Sequence, residues 1–225
     1  MWKTIFLLIL LPLSNACATI ELPLSKSIYL NDSLSFESHR GEGAFDTALA
    51  MNIQHIPVKA IRDRLSLYLH YPLRFFTEWN KNGEAHITVI TPPEYTYILK
   101  PFISIDRMEE IAVQNYIQDS DLNVLGLGKG SLPINNRVEE TYFIIIKSTN
   151  LLKIRHKIYE EFVKNGGDKN AWDPNHFYPH ITVGYSLRDL HEADGVIKDI
   201  EHALDDRFKL TLIGQILGLV TDTIP

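Results

Sequence analysis

The sequence predicts an α+β protein with helices packed outside antiparallel-rich sheets, and three observations carry that expectation. Short β-branched runs alternate with segments of helical period along the chain, which suits mixed layers better than a long parallel series. Asn82-Gly83 lies between two strand-like runs, where a tight turn favours antiparallel pairing. The tetrapeptide His-Ile-Thr-Val occurs at 86–89 and again at 180–183, so the order of elements reads as a pseudo-symmetric duplication around a central cleft.

The elements follow in order. Lys3, the apolar run Ile5 to Leu11 and the small residues Ala16-Cys17-Ala18 resemble a targeting segment with an A-x-A cleavage site, so residues 1–18 read as a signal peptide. The run is too short to cross a bilayer, which needs about 20 residues. The expected location is therefore exported, periplasmic or secreted, with lipid anchoring at Cys17 as the lesser alternative. Residues 19–43 read as a polar lead-in with short strands at most, and 44–225 as one domain.

Pro57 suits a helical first turn, and Ile61, Leu65 and Leu69 recur at helical spacing, which predicts a helix over Val58 to His70. Leu73 to Trp79 and Glu84 to Thr91 then read as a hairpin around Asn80-Lys81-Asn82-Gly83, and Pro92-Pro93 closes its second strand. A helix is expected over Ile105 to Ile117. Leu122 to Leu132 and Thr141 to Lys147 read as paired strands. The next helix is capped by Thr149 or Asn150, carries Leu151, Ile154, Ile158 and Phe162 on its apolar stripe, and stops at Gly166-Gly167. A strand run over Tyr178 to Tyr185, a helix near Ala193 to Leu204 and a strand near Phe208 to Val220 complete the chain.

Composition narrows the function. With 225 residues, 45% apolar, the chain buries a substantial core, and a net charge of −6 without a Lys/Arg cluster argues against an extended nucleic-acid surface. A small phosphate-bearing ligand fits better. The single Cys17 excludes an internal disulfide.

The repeated tetrapeptide carries the chemistry. Residues i and i+2 share a face of a strand, so His86 and Thr88 point together, as do His180 and Thr182, while the intervening aliphatics point to the core. If the two strands are neighbours in one sheet, two imidazoles and two hydroxyls line one cleft. One neutral His can then take a proton, a protonated one can give one, and hydroxyls can donate to non-bridging phosphate oxygens. This chemistry needs neither metal nor cofactor. A single strand His followed by Thr is more often an ordinary half-buried pair; two copies in matched contexts favour a site.

Phe177-Tyr178-Pro179-His180-Ile181-Thr182-Val183, together with the first motif followed by Thr91-Pro92-Pro93-Glu94, resembles the two-histidine (2H) phosphoesterase superfamily, in particular its Swiss Army Knife branch. The resemblance runs from about Met51 to the C-terminus. It implies a pseudo-symmetric α+β fold and hydrolysis of a phosphodiester, commonly a 2′,3′-cyclic phosphate, with His86 and His180 as acid and base and Thr88 and Thr182 on the phosphate. The ligand class is then a small cyclic phosphate, a nucleotide or short RNA, acted on by a monomer. A non-catalytic phosphate-ligand-binding module is the alternative.

Weaker candidates surround the motifs. No Arg directly follows either one, so Lys129 and Arg188 are the nearest guesses for phosphate neutralisation. Glu84 shares the face of His86 and can orient its ring, although an exposed strand Glu is the blander account. Tyr178 shares the face of His180 and can stack on a base, or simply pack. Gly126-Leu127-Gly128-Lys129-Gly130 departs from the Walker pattern and is not a phosphate loop. His39, His55, His70, His156 and His202 show no partner pattern, and His176 with His180 is no helical metal pair because Pro179 intervenes.

Overall fold

A computed structural model describes residues 18–36, 38–43, 46–76 and 83–214. The targeting segment up to Cys17 and the Asn80-Lys81-Asn82 turn lie outside the described residues. No described helix is long and apolar enough to cross a membrane.

Among the described residues, seven strands form three small sheets. β1 (Ile20–Ser25) runs parallel to β7 (Phe208–Ile213), β2 (Leu49–Asn52) is antiparallel to β3 (His86–Ile90), and β4 (Asn123–Ile134), β5 (Arg137–Lys147) and β6 (His180–Tyr185) form an antiparallel trio in that order. The lead-in is more than polar linker: Leu22, Leu24 and Ile28 are buried in the main core, so the start of the chain is built into the fold.

Helix α1 (His55–Leu69) carries Pro57 in its first turn and buries Val58, Ile61 and Leu65, as its spacing predicts. It ends one residue early, where His70 turns left-handed at φ 62°. Helix α2 (Pro92–Glu94) starts on a reciprocal cap between Thr91 and Glu94 and runs into a π turn, Tyr95–Leu99. Helix α3 (Ile105–Gln114) is capped by Ser104 and is shorter than expected. Helix α4 (Thr149–Lys164) buries the predicted stripe, but its cap is Ser148, whose hydroxyl accepts from the Leu151 amide at 3.1 Å, rather than Thr149 or Asn150.

Two expectations fail for physical reasons. β3 pairs with β2, while the described part of the preceding run, Leu73 to Phe76, meets β6 instead through an Arg74–Tyr185 bridge. Turn residues mark a change of direction but do not choose a partner. The expected helix over Ala193 to Leu204 is reduced to a 3₁₀ turn, Glu192–Asp194, and α5 (Ile200–Ala203). Gly195, at φ 83°, stops the first, and the Asp199 side chain caps a new start, leaving 196–198 outside any helix.

β5 is buried on both faces, and its alternation separates two clusters. Tyr142, Ile144 and Ile146 enter the main core, whereas Phe143 and Ile145 join Leu190, Val196 and Ala203 in a smaller one. Residues 189–203 therefore roof the second face of this sheet. The glycine row of β4 makes that roof possible: a Cβ on Gly128 or Gly130 would lie 2.3 Å from Phe143 or 2.5 Å from Val196. The row accommodates the chain's own side chains rather than a ligand.

Gly184 serves a similar close approach on β6, since a Cβ there would sit 2.7 Å from the Arg74 carbonyl oxygen. Gly184→Ala is expected to cost about 1–3 kcal/mol by overpacking and to push the 73–76 segment off β6. Urea unfolding of the variant checks this, and unchanged stability would show that the backbone yields freely.

Candidate active site

Both motifs obey strand parity. Ile87, Val89, Ile181 and Val183 are fully buried, while His86, Thr88, His180 and Thr182 are only partly so. The single-sheet expectation is corrected, however: β3 and β6 belong to different sheets that pack side by side. A short strap couples them. Arg74 exchanges two backbone hydrogen bonds with Tyr185 of β6, at 2.8 and 2.9 Å, and Phe76 two residues on stacks on the His86 ring at 5.7 Å while touching Tyr185 at 5.6 Å.

A buried arginine ties the same elements from behind. Arg155 of α4 is 1% exposed and donates to the carbonyls of Val89 on β3 (2.7 Å), Pro174 (2.8 Å) and His176 (3.0 Å). Its guanidinium also pairs with Glu94 at 2.8 Å, and Trp172 donates to the same carboxylate at 2.7 Å. Burial alone would raise Glu94, but Arg155 and Trp172 hold it below the ordinary carboxylate range. The end of the first motif's strand and the loop entering the second are thus fixed by one side chain.

At the second motif, His180 opposes Ile145 and Thr182 opposes Phe143, so both lie on the face roofed by 189–203. His180 Nδ1 donates to the Tyr178 carbonyl at 2.8 Å, which assigns the tautomer and leaves Nε2 as the acceptor. Facing Nε2 at 3.2 Å is the ammonium of Lys198. Lys198 also donates to both oxygens of Asp189, at 2.9 and 3.1 Å, and Asp189 accepts from Thr141 at 2.5 Å and from Thr182 at 3.1 Å. Burial first, and Lys198 second, lower the His180 pKa and keep its ring neutral. Burial works to raise Asp189, but Lys198 and the nearby histidines outweigh it and hold the carboxylate ionised.

Lys198 and Asp189 were not legible as site residues. A lone Lys in Val196-Ile197-Lys198 and an Asp in a charged loop carry no pattern; only packing of the 189–203 segment on the sheet brings them to His180. The two guesses at a phosphate-binding cation fall elsewhere. Lys129 is engaged by Glu140 and lies on the Tyr142 side of the sheet, opposite His180. Arg188 forms a two-pronged pair with Asp194 at 2.6 and 2.8 Å. Tyr178 orients His180 through its backbone, and its ring packs edge-on against His176 at 5.1 Å.

Replacing Lys198 by Met removes the charge that faces Nε2 and leaves Asp189 to favour the imidazolium. The His180 pKa is expected to rise, which NMR titration of its ring protons would read; an unmoved titration would dismiss Lys198 as a tuner of this histidine.

At the first motif, Glu84 is 15% exposed rather than an open surface Glu, and its Oε1 lies 3.5 Å from His86 Nδ1. His39, dismissed by pattern, packs edge-on against His86 with ring centroids 4.8 Å apart. Burial, then the neighbouring His86, push the His39 pKa down to about 4 against the opposing pull of Glu84.

An α+β fold presenting two strand-borne His-x-Thr faces defines a protein of the two-histidine class. The family described as Swiss Army Knife, 2H phosphoesterase domain, matches residues 48–191, well over half of the chain, and the chain belongs to it. That family points to hydrolysis of phosphodiesters. No solved structure matches.

Proposed function

We propose that the chain hydrolyses a cyclic phosphate, or a short RNA or nucleotide phosphodiester, with His180 as general base and His86 as general acid, and that turnover needs no metal. The observation that carries this reading is the neutral, tautomer-fixed His180 with its Nε2 beside the Lys198 ammonium. An anion reaching Nε2 meets a buried cation that can neutralise its non-bridging oxygens, while the ring is ready to accept a proton. Glu84 beside His86 can stabilise the imidazolium that an acid must carry. Thr88 and Thr182 are the phosphate hydroxyls of this reading, and the targeting segment supports placing the reaction outside the cytoplasm.

One observation favours a second reading, a phosphate-binding module. Thr182 already donates its only proton to Asp189 and must turn away before it can serve a phosphate. Incubating the purified chain in excess EDTA with 2′,3′-cyclic nucleotides, cyclic-ended oligonucleotides and ADP-ribose cyclic phosphate, followed by phosphorus NMR, separates the two. Product supports the enzyme. Calorimetric binding without product supports the module.

A further inference from the structure

We propose that His39, Glu84 and His86 form a binding site for one divalent first-row transition ion of the zinc class, and that the ion's occupancy controls the first motif. One donor atom from each residue lies within 4.8 Å of the other two. The His86 Nδ1 atom is buried without a hydrogen-bond partner, with a Glu84 carboxylate oxygen 3.5 Å away. An orphaned buried imidazole nitrogen costs free energy that a metal bond removes.

The donor set selects the ion. Two imidazoles and one carboxylate suit zinc and its neighbours and disfavour magnesium and calcium, which take oxygen ligands. Three protein donors leave a position open for water or for a phosphate oxygen. Donors held at about 2.0–2.2 Å around a tetrahedral ion sit about 3.4 Å from one another, so drawing in the present arrangement by roughly an ångström closes the shell.

The scaffold favours that closure. The His39 backbone is bridged to Ala48 by two hydrogen bonds of 2.9 and 3.1 Å, directly before β2, which pairs with the strand carrying His86. Phe76 stacks on the His86 ring with centroids 5.7 Å apart and limits its movement.

A metal on Nδ1 keeps His86 from becoming the imidazolium that the proposed general acid must carry. Resting on the proposed phosphodiesterase reading, zinc is therefore an inhibitor of turnover, and the site gates activity by metal supply. The test starts from full-length chain stripped with EDTA and dialysed. Calorimetric titration with zinc is expected to show one equivalent bound with a Kd of about 1 μM or tighter, and His39→Ala and Glu84→Gln are each expected to weaken it at least tenfold. Cobalt(II) should give a ligand-field spectrum that His39→Ala abolishes. His202→Ala, which alters an exposed histidine paired with Asp199, should leave binding unchanged.

Absence of stoichiometric zinc binding, or full affinity in both His39→Ala and Glu84→Gln, overturns the site. Activity reports separately: zinc added to the stripped wild-type chain should lower turnover in step with occupancy of the site, and turnover unaffected at saturating zinc overturns the gating. If zinc binds through His39 and Glu84 while no phosphodiester is cleaved, the metal site stands and the enzymatic reading fails.

Discussion

His86→Ala and His180→Ala are each expected to lower phosphodiester turnover by about 10²- to 10⁴-fold, the usual contribution of a positioned acid or base. The fold should survive, since both rings are only partly buried and the aliphatics between them hold the strands in the core. The two losses should not multiply in the double variant, because each ring serves one step of the same proton circuit. Near wild-type turnover in either single variant, measured in EDTA against a substrate the wild type cleaves, would remove both histidines from the mechanism. The roles separate by pH. The low proton affinity of His180 predicts a base already competent in mildly acidic solution, so the acid limb of the rate profile should lie well below the ordinary histidine value of 6.5. His180→Ala should abolish that limb along with the activity.

Arg155→Met is expected to destabilise the folded state by about 3–5 kcal/mol, because it leaves Glu94 as a buried charge without its partner. It also strands the carbonyls of Val89, Pro174 and His176, each of which now accepts from the guanidinium. Adding Glu94→Gln to Arg155→Met should recover part of the loss by removing the orphaned charge, and urea unfolding of the single and double variants measures both effects. A loss below about 1 kcal/mol would mark the pair as no better than a surface ion pair. The pH dependence has a definite sign. Glu94 is held below its ordinary 4.5 in the folded protein. The stability it contributes is complete above that value, and is lost as the pH falls through the folded value. Arg155→Met should flatten that acid-side loss.

The same network shows what could be read in one dimension. The α4 stripe of Leu151, Ile154, Ile158 and Phe162 was legible because an apolar face must repeat with the helical period. Arg155 interrupts that stripe and looks like an intrusion until the carbonyls it collects are seen. The His-x-Thr faces were legible for a comparable reason: alternation in a strand is local geometry, so two matching tetrapeptides imply two matching faces wherever they fold. Glu84 was legible as a neighbour of His86, though not its burial. His39 was not, because its approach to His86 depends on a backbone bridge to Ala48 that no spacing announces.

Strand partnership was the least legible feature. Asn82-Gly83 suggested a hairpin, yet β3 found β2 and the 73–76 segment found β6, a choice governed by which buried faces fit rather than by the turn between them.

The sequence by itself determined the paired histidine and threonine faces, the main helices and the family, because each depends on periodicity or on residues close together along the chain. Tertiary structure alone decided that Lys198 and Asp189 stand behind His180, that Arg155 ties the two halves, and that His39 joins Glu84 at His86. Those contacts unite residues far apart in the chain, and their free energy comes from burial and charge pairing that exist only once the sheets have packed.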